Sequence, residues 1–186
     1  MKSIELLVEE HENIKRMLDV VHKAAISALE GGEINVDDFK KMVDFIRRYA
    51  DKTHHGKEEH FMFKVMVEEL GNIAKNLVSH GMLVEHDLAR LYVSQLDAAL
   101  DSYKENKDTE SKWAIIVAAG SYEQLLRRHI DKENGVAYPF GEKNLSPKSL
   151  EWIEEQTNEF EANEENAKER DYQLSVLTEL EKKYMK

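Results

Sequence analysis

The segment HHGKEEHFMFK, residues 54–64, returns 75 residues later as HIDKENGVAYP, residues 129–139. Aligned without gaps, the two share His, Lys and Glu at their first, fourth and fifth positions, and an aromatic at their tenth, Phe63 against Tyr138. A second match keeps the same offset. VEEHEN (8–13) and LVEHDL (83–88) share Glu-His-acid, so His11 precedes His54, and His86 precedes His129, by 43 residues in each case. A chain built from two such halves must put its four histidines in equivalent places.

The pattern around them is helical. After Ser3, a candidate N-cap, apolar residues recur at Ile4, Leu7, Val8, Ile14, Leu18 and Val21, and Gly31-Gly32 closes the run. A second run starts at Asn35 and passes Phe39, Met42, Val43, Ile46 and Tyr49 to Leu70, where Gly71 breaks it. The third spans about 72–103, with Ile73, Leu77, Leu83, Leu88, Leu91 and Leu96 expected inward, and KENKD forms a polar turn. The fourth starts near Asp108 or Thr109 and is expected to end at NGVAYPFG, where Gly135, Pro139 and Gly141 punctuate. No alternating strand pattern interrupts these runs. They predict an all-α chain, an up-down-up-down four-helix bundle over 1–142. Residues 143–186 then form a C-terminal helical extension, opened by Ser146-Pro147. The stretch 146–186 has 11 acidic and 6 basic residues. It carries a broken apolar stripe through Trp152, Ile153, Phe160, Leu174, Leu177, Leu180 and Tyr184, with a break at EANEEN. It is expected to pack on the bundle or on a partner.

Register links the repeat to the fold. In an antiparallel helix pair, residues equidistant from the turn lie level. The midpoint of His11 and His54 falls at Gly32-Glu33, that of His54 and His86 at Leu70, and that of His86 and His129 at Lys107-Asp108. All three are turns already placed by punctuation. Four histidines, one per helix, are therefore predicted at one height, with Glu58 and Glu133 one turn away on the same faces. The repeat also selects within HHGKEEH. His54 and Glu58 have matching mates, whereas His55 and Glu59 are answered by Ile130 and Asn134. A buried layer of imidazoles and carboxylates is costly unless it binds something. Four neutral imidazoles and two carboxylates suit a pair of first-row divalent ions. The chain has no cysteine, so thiolate ligands, disulfides and Fe–S clusters are excluded.

Together, His11, HHGKEE, EHDLAR and HIDKEN…YP resemble the hemerythrin-like, or HHE cation-binding, family over roughly residues 4–140. The resemblance implies a four-helix bundle holding a carboxylate-bridged non-haem di-iron centre. It implies metal ligands His11, His54, Glu58, His86, His129 and Glu133, two Fe ions with an oxo or hydroxo bridge (Zn or Mn being chemically compatible), and a small diatomic or peroxide ligand. The tail, with LSPKSLEWIEE and LEKKY, is similar to C-terminal extensions in some members. One position departs from the oxygen carriers, which have five histidine ligands, two of them four apart on the third helix. Here the position four after His86 is Arg90, and its mate in the first helix is Lys15. That predicts an open coordination position.

The remaining histidines are expected to be bystanders. His55, His60 and His80 are read as solvated, and His22 as a core histidine or one behind the site. Tyr49, Phe63, Tyr122 and Tyr138 are read as core. The net charge of −11 argues against nucleic acid and anionic membranes. No apolar run nears the ~20 residues of a membrane span. The acidic N-terminal MKSIELLVEEHENIK lacks a signal-peptide core and predicts a cytoplasmic protein. The extension leaves room for a homo-oligomer or a protein partner. The function expected is a di-iron protein that binds or reacts with O2, NO or peroxide, in sensing, storage or stress response, with possible oxidoreductase-type chemistry. The competing classes are a ferroxidase, a histidine phosphotransfer module and a metal-free or Zn-loaded interaction bundle. The ferroxidase class wants Glu three residues before a histidine, and no histidine here has it.

Overall fold

The computed structural model describes residues 1–185, and among them every regular element is helical. The runs are α1 (Lys2–Leu29), α2 (36–70), α3 (72–106), α4 (109–144), α5 (Pro147–Ala162) and α6 (Glu164–Tyr184). Asn35, Asp108, Ser146 and Asn163 cap their helices by accepting from the N–H of Asp38, Ser111, Ser149 and both Glu165 and Asn166. Gly71 separates α2 from α3 with φ 66° and ψ −144°. That conformation is open almost only to glycine.

Three sequence expectations fail. Ser3 lies inside α1, and its backbone N–H and hydroxyl both reach Glu154 of α5. The run α4 does not stop at Gly135 or Pro139 but continues to Asn144. Pro139 follows a wide turn, at the start of a fresh α-helical stretch where a missing N–H costs least. On α3, Leu88 and Leu91 are exposed and Ile73 is 69% exposed, because the buried face runs through His86, Ala89, Val93, Leu96 and Leu100.

Wide i→i−5 turns interrupt the helices near the repeat. The N–H of Gly56 bonds to Asp51 O, Phe63 to Glu58, Leu83 to Val78 and Tyr138 to Glu133. The turns at 58–62 and 133–137 are themselves repeat mates. Such π-type turns concentrate at functional sites.

Two apolar clusters fill the interior. One holds Ile14, Leu18, Phe39, Tyr49, Val93, Leu96, Ile115, Tyr122 and Leu126, together with Val176, Leu177 and Leu180 of α6. The other holds Leu7, Met62, Phe63, Met66, Met82, Ala137 and Tyr138, together with Ile153 of α5. In each of α1 to α4 the histidine of the repeat falls between a residue of one cluster and a residue of the other. The result is a helical bundle with a polar layer between two oily halves. No helix among the described residues is long and apolar enough to cross a membrane.

Candidate metal centre

His11, His54, His86 and His129 do meet in this layer, and all four are buried. The Nε2 atoms of His11 and His54 are 2.9 Å apart, and those of His86 and His129 are 3.0 Å apart. Glu58 and Glu133 are buried between these pairs. Glu58 Oε2 lies 3.7 Å from His54 Nε2 and 3.6 Å from His86 Nε2. Glu133 Oε2 lies 3.2 Å from His11 Nε2, and its Oε1 lies 3.0 Å from His129 Nε2. Each carboxylate thus spans both histidine pairs.

His55 also belongs here, contrary to the sequence expectation. It is 2% exposed and its ring stacks on that of His86 with centroids 3.8 Å apart. The wide turn over 46–55 is the cause. A turn closed by i→i−5 bonds holds more residues than an α turn, so neighbours are rotated by less and His54 and His55 both face inward. The groups able to hold an ion are then His11, His54, Glu58 and Glu133 on one side, and His55, His86 and His129 on the other. Within each, the donor atoms lie within 4.8 Å of one another. His60 and His80 remain outside the layer, as expected. His22 does not fit its expected place: its side chain is 47% exposed and meets Glu123.

Every inward imidazole is held from behind. His54 Nδ1 donates to Glu10 (2.9 Å), His129 Nδ1 to Glu85 (2.9 Å), His86 Nδ1 to Glu59 (2.7 Å), His11 Nδ1 to Asn134 Oδ1 (2.8 Å) and His55 Nδ1 to Asp51 (3.2 Å). An acceptor behind Nδ1 fixes the proton there and turns the Nε2 lone pair inward. The repeat extends to this outer ring: Glu10 and Glu85 are mates, as are Glu59 and Asn134. Lys57 and Lys132, mates again, bond to Glu10 and Glu85. Arg90 points outward. Its Nη2 lies 2.7 Å from both Asp51 and Glu59, the acceptors behind His55 and His86, and its Nη1 reaches Asp87.

The layer is electrostatically incomplete as it stands. With protons on Nδ1 alone, the paired Nε2 atoms would present lone pairs to each other, so without a cation a ring must take up a second proton, as His129 does. Glu58 Oε2 and both oxygens of Glu133 are buried without a hydrogen bond. Tyr138 donates its hydroxyl to Glu58 Oε1, whereas its repeat mate Phe63 has none to offer. Burial, reinforced by the neighbouring Glu133, pushes the Glu58 carboxyl well above its ordinary range. Burial opposes ionisation of Glu133 too, but His129 and the imidazoles around it hold it well below. Burial and the other imidazoles keep His54 and His55 neutral, His55 down to about 3. His129 is lifted to about 9, because Glu133 and Glu85 outweigh its burial. Converging lone pairs, anionic oxygens and outer acceptors together fit cations at the centre.

The hemerythrin HHE cation binding domain matches residues 2–140. The chain belongs to this family. No curated protein and no solved structure is similar enough to this hemerythrin-domain chain to count as a match. Membership implies cation binding, and the buried His/Glu cluster is where such binding fits. The sequence reading lacked His55, Asp51 and the outer carboxylates Glu10, Glu59 and Glu85. Two signals for them were present: Asp51 stands four before His55, and Glu10 and Glu85 share the repeat's offset.

Proposed function

We propose that this hemerythrin-domain protein holds two metal ions, iron by preference with Zn or Mn chemically admissible, in an up-down-up-down four-helix bundle over residues 1–142. The residues 143–186 form an extension of that bundle. The cross-helix bonds support this helix order: Glu10 with His54, Glu59 with His86 and Glu85 with His129 each join successive runs on opposite sides of a turn. The residues that would hold the ions are His11, His54, His55, His86 and His129, together with Glu58 and Glu133, which lie between the histidine pairs. That restores five histidines. The fifth comes from α2, so His55 would supply the histidine that Arg90 does not. One observation carries the reading: all five imidazoles have Nδ1 held from outside, four of them bring Nε2 within 3.7 Å of Glu58 or Glu133, and His55 joins His86 and His129 in a group able to hold an ion.

Bound there, two iron ions would supply redox chemistry and a place for a small ligand such as O2, NO or peroxide. The chain does the rest. Glu58 and Glu133 balance the positive charge, the two apolar clusters keep bulk water out, and the outer acceptors keep the rings from turning. Tyr138, its hydroxyl on Glu58 and 3.4 Å from His11 Nε2, offers a proton or hydrogen bond at the His11 side of the layer. Elemental analysis of protein reconstituted with iron tests the reading. Two ions per chain are expected, and one or none would overturn the dinuclear centre.

A further inference from the structure

A cavity of about 210 Å³ opens from the surface between α2 and α3 and ends on His55. It lies outside the His/Glu layer, with His55 as the shared wall. Its sides are apolar, formed by Ile46, Ala89 and Val93. Besides His55, the polar lining residues are Arg47, Asp51, Arg90, Ser94 and Tyr122, of which Tyr122 and Asp51 carry polar atoms without a protein partner among the described residues. The Tyr122 side chain is buried, but its hydroxyl is not sealed off, so it meets the cavity, with no protein hydrogen-bond partner among the described residues. Asp51 receives His55 and Arg90 on Oδ1; its Oδ2 has no protein partner among the described residues, and the side chain, 30% exposed, is open to water. A buried phenol hydroxyl normally finds a partner. Burial, and secondarily the Asp51 charge, push the Tyr122 hydroxyl upward in pKa, so it stays protonated and can donate.

The size and chemistry select an occupant. A dry cavity of about 150 Å³ suffices for benzene, so one ring with a small substituent fits. The substituent must accept from Tyr122 and donate to Asp51, which a neutral hydroxyl does and a carboxylate does not. The arginines at the mouth do not invite an anion. Arg90 is committed to Asp51, Glu59 and Asp87, and Arg47 to Asp97. One face of the His55 ring lies against His86, leaving its other face or edge to meet the guest. We propose that this cavity binds a neutral single-ring phenol, its ring among Ile46, Ala89 and Val93 and its hydroxyl between Tyr122 and Asp51, in contact with His55.

The site requires no metal ion, so its test is separable from that of the metal centre. Phenol, toluene and benzoate are titrated into the full chain, metal-free and iron-reconstituted, by calorimetry and ligand-observed NMR. Phenol is expected to saturate one site in the metal-free protein. Toluene and benzoate are each expected to bind roughly tenfold more weakly or less. Tyr122→Phe should weaken phenol roughly fivefold to tenfold, the loss of one hydrogen bond, and leave toluene unchanged. Ala89→Leu, which fills the space, should abolish binding while circular dichroism shows an intact fold. Absence of saturable phenol binding to metal-free protein would overturn the proposal, as would equal affinity for phenol and toluene in the unmodified chain. Iron binding without phenol binding defeats this inference alone, and phenol binding without iron binding defeats the metal centre alone.

Discussion

His55 and His60 make the sharpest contrast available at single residues, since they flank the same Glu58-Glu59 pair but only one enters the layer. His55→Ala should reduce iron from two ions towards one, or weaken one of the two sites, whereas His60→Ala should change nothing measurable by elemental analysis. Equal behaviour of the two would remove His55 from the ligand set. Arg90 acts at one remove, through Asp51 and Glu59. Burial works against the charge of both carboxylates, yet the hydrogen bonds from His55, His86 and Arg90 outweigh it and hold each down at about 2. Depressed carboxylates stabilise the fold above their ordinary range near 4. That contribution is lost as pH falls from about 5 towards 2. Metal-free protein should therefore lose melting temperature across this window. Arg90→Ala, lower throughout, should show a shallower decline, and an unaltered slope would deny Arg90 this role.

Among the helices, the informative features are the places where α geometry stops. Residues 72–106 were assigned inward leucines by hydrophobicity, but the buried face is set by the phase of His86, and Leu91 lies on the wrong side of it. The repeat made His11, His54, His86 and His129 legible because equidistance from a turn survives small changes of pitch. His55 was illegible because facing directions were counted at α-helical pitch, and the wide turn over 46–55 changes that count. Pro139 and Gly135 misled for a related reason: a helix with a wide turn absorbs residues that would end a regular one. Gly71 was read correctly, and its conformation gives a test. Gly71→Ala should cost about 1–3 kcal/mol, read from the urea midpoint, because φ is 66°. Gly120→Ala, in mid-helix with open space around its Cβ, should instead gain up to about 1 kcal/mol. If both changes had the same sign, the Gly71 conformation would be misjudged.

At the scale of the whole molecule, the extension shares the interior. Val176, Leu177, Leu180 and Ile153 are members of the two apolar clusters, and Arg16 holds Glu181 with two bonds of 2.8 and 2.7 Å. Truncation after Asn144 removes several fully buried side chains, each worth about 1.5–3 kcal/mol. The melting temperature should fall by roughly ten degrees or more, and an unchanged melt would mean that the extension is not part of the core. Metal is expected to act in the same direction. A ligand at a hundred times its dissociation constant adds about 2.7 kcal/mol to the folded state, so iron-loaded protein should melt several degrees above the metal-free form. Coincident melts would show that the layer gains nothing from cations.

The extension also ends the equivalence of the two halves. Lys57 and Lys132 hold mated positions, yet Lys57 is 1% exposed and Lys132 is 48% exposed, because Glu161 and Phe160 of α5 close over the first and nothing among the described residues closes over the second. Behind His129, Glu85 and Lys132 lead directly to the surface, whereas behind His54 the contacts run on from Glu10 and Lys57 to Glu161 and Arg170. The duplicated pair thus has one end open to water and one end roofed over by the extension.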